Sequence, residues 1–316
     1  MSDIFTKENL VTSSIEKVFK NNCIRHIRTR ADWPLAPEES IFDIRGKQVT
    51  ITYAHKIQSD VRLNFVLSLV RNVVDKYELD LNCRFVLTTQ DSPMRNEKYT
   101  RVCFSAPLDS NHIQIPDPHI FYHIQNLSNN LAGEKTFDEK ENIVSFFGSD
   151  SGELYPDLLN QRVKFCHKAN ENPNVLAKIT NFVHFRKEML EDLGIQKSAI
   201  EGAYTTIPAQ LGAKFILDID GNAPSWDRTA WGMASNSYLI HLKSELCNSL
   251  NWYGSFIKEN GIMPIYSEED ILSFKIKYNK EIKEKQKAFS SILLRTDTHT
   301  DYLALALFRY NDIYHS

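Results

Sequence analysis

The residues best suited to chemistry lie where apolar runs give way to polar turns. The richest stretch is 214–228, in which Lys214 opens an apolar segment that ends on Asp218, Asp220 and Gly221, and Ser225 and Arg228 follow in the next helix. A guanidinium near a helix N-terminus, beside glycine and serine, suits a diphosphate, because its fork meets two oxygens while free amides meet a third. The competing reading is a surface arginine paired with Asp227. Alternating carboxylates at Asp218 and Asp220 could instead hold Mg²⁺ or Mn²⁺, but Asp218 sits inside the apolar run, and the expectation is no metal. A second stretch, 146–152, runs from Phe146 and Phe147 into Gly148, Ser149, Asp150, Ser151 and Gly152. Such a loop can bring backbone and hydroxyls close to an anion, or it can be a plain tight turn; it lacks the Gly-Lys-Ser/Thr of a Walker loop. The third is Asp91, just beyond the apolar run 83–89 and before Ser92 and Pro93. A carboxylate there can act as a general base, or cap its own turn.

The elements that must position these groups follow from periodicity. Helical spacing covers 1–20 and, with Leu63, Val66, Leu67, Val70, Val73, Val74 and Tyr77 on one stripe, 60–77. Segment 42–53 alternates around Arg45, Gly46 and Lys47 as a strand or hairpin, and strands are expected at 83–89, 101–105 and 120–124. A polar stretch, 128–141, sets the expected division between domains 1–135 and 136–316. In the second half, strands are expected at 142–147, 163–166, 214–219 and 238–242, with helices near 155–161, over 182–193, from the 220–225 loop to 234, and through 268–310. Alternating strands and helices imply parallel sheets covered on both faces. Open sheets of this kind bind ligands beyond the carboxyl ends of their strands, in the expected cleft between the domains.

Composition narrows the function classes. The 316 residues, 42% hydrophobic and 24% charged, suit two folded domains. With 37 Lys+Arg against 40 Asp+Glu, a net charge of −3 gives no global field for nucleic acid. Cys23, Cys83, Cys103, Cys166 and Cys247 are odd in number and scattered, which fits reduced thiols in the cytoplasm. The first residues do not resemble a secretory signal, and no window suits a spanning helix. Lys275, Lys277, Lys280, Lys283, Lys285 and Lys287 crowd one segment with Glu281 and Glu284 between them. They read as a solvated face, or as a contact for the inner surface of a membrane or for a polyanionic acceptor.

In order, these segments resemble glycosyltransferase family 90, which contains protein O-glucosyltransferases, capsule xylosyltransferases and bacterial lipopolysaccharide glycosyltransferases. The resemblance rests on Lys214, Gly221, Ser225 with Arg228, Ser235-Asn236-Ser237, Lys243, Trp252-Tyr253 and Met263-Pro264-Ile265, on residues 146–149, and on 85–93. It implies an α/β, GT-B-like architecture of two Rossmann-type domains with a C-terminal helical segment. It also implies an inverting hexosyltransferase that moves glucose or galactose from a UDP-sugar to a glycan or glycolipid acceptor, as in lipopolysaccharide or capsule biosynthesis, without cofactor or essential metal. Asp91 would then be the catalytic base, and Gly148, Ser149, Lys214, Asp220, Gly221, Ser225 and Arg228 would bind the donor. Phe147 stands where the family has a phosphate-holding Arg, Arg228 follows Ser225 one residue late, and Gly261-Ile262 replace a His-Tyr pair. The missing charge would have to come from another cation such as Arg162 or Lys243. A metal-dependent GT-A enzyme using Asp218 and Asp220, and a non-catalytic sugar-nucleotide or glycan-binding protein, are the alternatives.

Overall fold

The computed structural model describes residues 5–21, 39–53, 61–90, 100–107, 110, 112–225, 227–244, 247 and 249–315. Asp91 and Cys23 lie outside them. In chain order the first elements are α1 (Lys7–Asn21), β1 (Glu39–Gly46), β2 (Gln48–Tyr53), α2 (Val61–Lys76), β3 (Leu81–Thr88), β4 (Arg101–Cys103), β5 (Ser105–Pro107), β6 (Ile113–Gln114) and α3 (Pro118–Leu131). There follow β7 (Glu141–Ser149), α4 (Gln161–Ala169), β8 (Val175–Asn181), α5 (Lys187–Asp192), α6 (Lys197–Ile200), α7 (Ile207–Gln210), β9 (Ala213–Asp218), α8 (Asp227–Ala234) and β10 (Tyr238–Leu242). The chain ends with β11 (Ser249–Asn251), α9 (Gly254–Glu259), β12 (Ile265–Tyr266), α10 (Glu268–Leu272), α11 (Lys280–Leu293) and α12 (Thr296–Tyr314). Among the described residues no helix is long and apolar enough to cross a membrane.

The chain forms two compact units, each discontinuous in sequence. The first comprises Met1–Ile124, Ser249–Ile257 and Ile292–Ser316, and the second Gln125–Asn248 and Lys258–Ser291. In the first, five strands lie in the order β2-β1-β3-β4-β6. The pairs β1–β2 and β1–β3 are antiparallel, whereas β3–β4 and β4–β6 are parallel. The sheet is therefore mixed rather than wholly parallel. The hairpin explains the difference: Arg45 pairs with Gln48, so only Gly46 and Lys47 separate the strands, far too few for a parallel crossover. Gly46 takes φ +57°, where a side chain would be strained. Leu63, Val66, Val70, Val73 and Val74 of α2 are buried as their spacing predicts. β11 joins β5 antiparallel, with Ser249 opposite Pro107.

The second unit is an all-parallel sheet in the order β12-β10-β9-β7-β8. Numbered as the chain makes them, its strands lie 2-1-3-4-5, one of the two common doubly wound orders, whose topological switch point falls between β7 and β9. Its core joins Val144, Phe146, Phe165, Ile179, Leu217 and Ile240. Coverage on both faces accounts for the nearly unbroken burial along β9 and β10.

Five local expectations are corrected. Residues 120–124 are helical: Asp117 accepts hydrogen bonds from the amides of His119 (3.0 Å) and Ile120 (3.1 Å), and Pro118 occupies the first helical position, so α3 starts there. Residues 155–161 are not a helix and 163–166 are not a strand. Asn160 caps the amide of Val163 at 3.0 Å, which starts α4 at Gln161, and Val163, Cys166 and Ala169 are buried at helical spacing. Residues 182–186 precede α5, because the amides of Val183, His184 and Phe185 are bound by the Asp150 carboxylate. The expected single helical stretch 268–310 is broken into α10, α11 and α12, with Ser267 capping α10 by accepting from the Asp270 amide at 3.1 Å. The short strands β6 and β11 were not expected, nor was β8, although its buried Val175, Ala177 and Ile179 have period two.

Candidate functional site

The switch point of the parallel sheet gathers the polar strand ends. β7 runs out through Phe146 and Phe147 to Gly148 and Ser149, with a bulge against β8 between the last two. The following turn is anchored by Asp150, whose fully buried carboxylate accepts the amides of Val183 (2.6 Å), His184 (3.1 Å) and Phe185 (2.8 Å). Asp150 is thus an architectural tie that holds Ser149 and Ser151 at the carboxyl end of the sheet. The two hydroxyls are 3.1 Å apart.

Arg162, in the first turn of α4, braces this loop against the end of β9. Its Nη1 donates to Ser151 Oγ at 2.8 Å and reaches the Ser149 carbonyl at 3.3 Å and Ser149 Oγ at 3.4 Å. Its Nε and Nη2 donate to the Ile219 carbonyl at 3.1 and 2.8 Å. Gly221 is required by this packing: a Cβ there would lie 2.9 Å from Ser151 Oγ and 3.1 Å from Arg162 Nη2. Arg228, in the first turn of α8, is buried; it donates to the Phe147 carbonyl and stacks over Phe146 with its guanidinium carbon 4.6 Å from the ring centroid. Arg162 lies 5.8 Å from the same ring. Burial, followed by the neighbouring Arg228 charge, lowers the Arg162 pKa to about 10, and burial also lowers that of Arg228. Both guanidiniums are cationic near neutral pH. Among the described residues Arg228 Nε is buried without an acceptor.

Beside the arginines stands a cluster formed across β9 and β10. His241 is the register partner of Asp218, and its imidazole bridges two carboxylates, with Nδ1 3.3 Å from Asp218 Oδ2 and Nε2 3.4 Å from Asp220 Oδ2. Desolvation alone would lower the His241 pKa, but the Asp220 charge and the hydrogen bonds that the imidazole donates to both carboxylates outweigh it and raise it to about 10. Asp218 also meets Thr229 Oγ1 at 3.4 Å, and its Oδ1 is buried without a partner among the described residues. These three side chains are also close enough to share a metal ion, their nearest ligand atoms lying within 4.8 Å of one another.

Of the residues expected from sequence, Gly148, Ser149, Asp220, Gly221 and Arg228 come together here. Ser225 precedes α8, and its carbonyl accepts from Thr229 Oγ1 at 3.0 Å. Lys214 is not brought to this group. It lies near the opposite end of β9, about 13 Å from Asp218 at roughly 3.3 Å per residue, with its amine 5.3 Å from the ring centroid of Phe137. His241 was missed; the available signal was a polar residue near the carboxyl end of an otherwise apolar strand. No protein-family model matches this chain, and no curated protein matches it.

Proposed function

We propose that the protein is an inverting glycosyltransferase that moves a hexose from a UDP-sugar to a hydroxyl of a glycan or glycolipid acceptor. The observation that carries this reading is the pair of guanidiniums, Arg162 and Arg228, with Ser149, Ser151 and Gly221 at the switch point of a doubly wound sheet. Arg228 also keeps a buried guanidinium nitrogen without an acceptor among the described residues, so its hydrogen-bonding capacity is not spent within the fold. A diphosphate provides both the charge and the oxygens, and as a leaving group it gains negative charge that fixed cations stabilise. The segments that resemble glycosyltransferase family 90 supply Ser149, Gly221 and Arg228 to this one place, with Arg162 contributing a cation where Phe147 does not.

Within the proposal, the architecture is GT-B-like and Asp91 deprotonates the acceptor hydroxyl. Incubation with UDP-glucose and UDP-galactose should release UDP, and Asp91→Asn should bind UDP like the wild type while losing turnover. No release from any UDP-sugar, together with no UDP binding, contradicts the reading. The proximity of Asp218, Asp220 and His241 favours one second reading, a metal-dependent transferase. EDTA decides between them: activity unaffected by chelation supports the first, and activity lost to EDTA and restored by Mn²⁺ supports the second.

A further inference from the structure

The Asp220 carboxylate has a feature that the diphosphate alone does not use. One oxygen is held 3.4 Å from His241 Nε2, while the other has no hydrogen-bond partner among the described residues, and the side chain keeps 10% of its surface exposed. The next residue, Gly221, has no side chain and packs against Arg162. A ligand whose anion is held by the arginines therefore passes a carboxylate within one residue of them. Asp218 Oδ1 and Arg228 Nε, on residues 1% and 8% exposed, are buried without a partner among the described residues, so the hydrogen-bonding capacity around Asp220 is not spent within the cluster.

We propose that Asp220, held in place by His241, accepts hydrogen bonds from a vicinal pair of hydroxyls on the sugar of the bound ligand, the ribose of a ribonucleotide or the transferred hexose. The inference rests on the nucleotide-sugar reading above. A carboxylate with one oxygen fixed and the other open cannot serve a second phosphate, which it repels, but two adjacent hydroxyls donate to it with charge assistance. His241 is a positioning residue: bridging to Asp218, it sets the rotamer of Asp220 and offsets part of its charge beside the incoming diphosphate.

Calorimetric titrations of UDP, 2′-deoxy-UDP and UDP-glucose into the wild-type chain, Asp220→Asn and His241→Ala test it. If the diol is the ribose, wild type binds UDP at least about tenfold more tightly than 2′-deoxy-UDP, as loss of one charge-assisted hydrogen bond implies. The ratio falls below about threefold in Asp220→Asn and is reduced in His241→Ala. If the diol is the hexose, UDP and 2′-deoxy-UDP bind wild type alike, but UDP-glucose binds more tightly than UDP, and Asp220→Asn abolishes that advantage. Wild type that binds UDP with neither preference overturns this inference while leaving the nucleotide reading intact. Wild type that binds no UDP overturns both. Should Asp220→Asn fail to fold, Asp220→Glu, which keeps the charge but displaces the carboxylate, reads the same ratios, and ratios unchanged from wild type overturn the inference.

Discussion

Each of the two units buries an arginine near the end of a strand, and the two solve the resulting charge problem differently. In the first, Arg101 at the start of β4 pairs with Glu39 at the start of β1, with side chains 9% and 2% exposed. There a buried cation meets a buried anion directly. In the second, His241 alone bridges Asp218 and Asp220, Arg162 and Arg228 spend their hydrogen bonds on carbonyls and serines, and a guanidinium nitrogen of Arg228 and a carboxylate oxygen of Asp218 have no partner among the described residues. The first arrangement is architecture, since removing either partner strands a buried charge. The second is a polar cluster with hydrogen-bonding capacity unspent among the described residues, and it sits where doubly wound sheets take their ligands.

That contrast can be broken or sharpened experimentally. The largest effect on stability is expected from Arg101→Met, which removes the guanidinium that meets the buried Glu39 carboxylate and should cost about 3–5 kcal/mol in urea unfolding while leaving the UDP affinity of the folded protein unchanged. Equal losses of UDP affinity in Arg101→Met and in the Arg228 variant would erase the distinction between the two regions. Next comes the pH dependence of His241. Its folded pKa is raised to about 10 from an unfolded value near 6.5, so its stabilising contribution is complete below the lower value and is lost as pH climbs through the upper one. Between pH 7 and 10.5 the wild type should lose on the order of a few kcal/mol more stability than His241→Gln; parallel pH profiles would contradict the bridged imidazolium. Gly221→Ala places a methyl against Ser151 and Arg162 and should cost about 1–3 kcal/mol, read as a lowered unfolding midpoint with weakened UDP binding. The smallest effect is expected from Arg162→Lys. It keeps the charge but loses the fork that spans Ser151 and Ile219, and UDP affinity should fall about tenfold, a difference of roughly 1.4 kcal/mol.

Much of the second unit was legible because its strands are buried on both faces and end abruptly in glycine, serine and aspartate. That pattern located β7, β9 and β10 and the turns that carry Ser149 and Gly221. Groups brought in by the crossover helices were harder to place. Arg162 could be named only as a substitute cation, because its position depends on Asn160 starting α4 at Gln161, and apolar Val163 to Cys166 resemble a strand until that cap is recognised. His241 offered only the signal of a polar residue near the end of an apolar strand, because its partners are set by the register of β10 against β9. In the first unit, periodicity located α2 and β3, but the strand order depends on the length of one hairpin turn and on late segments such as β11 pairing with β5. Lys214 shows the converse: it is near Asp218 in sequence, yet an extended strand carries it to the far end of the sheet.

The central claim is that Arg228 and its neighbours hold the diphosphate of a nucleotide sugar at the junction of β7 and β9. Calorimetric titration of UDP into the wild type and into folded Arg228→Ala tests it most directly. The account predicts saturable one-to-one binding to the wild type, weakened by more than about tenfold in the variant, as loss of a charged hydrogen-bonding partner implies. UDP binding of equal strength to both proteins, or to neither, would contradict it.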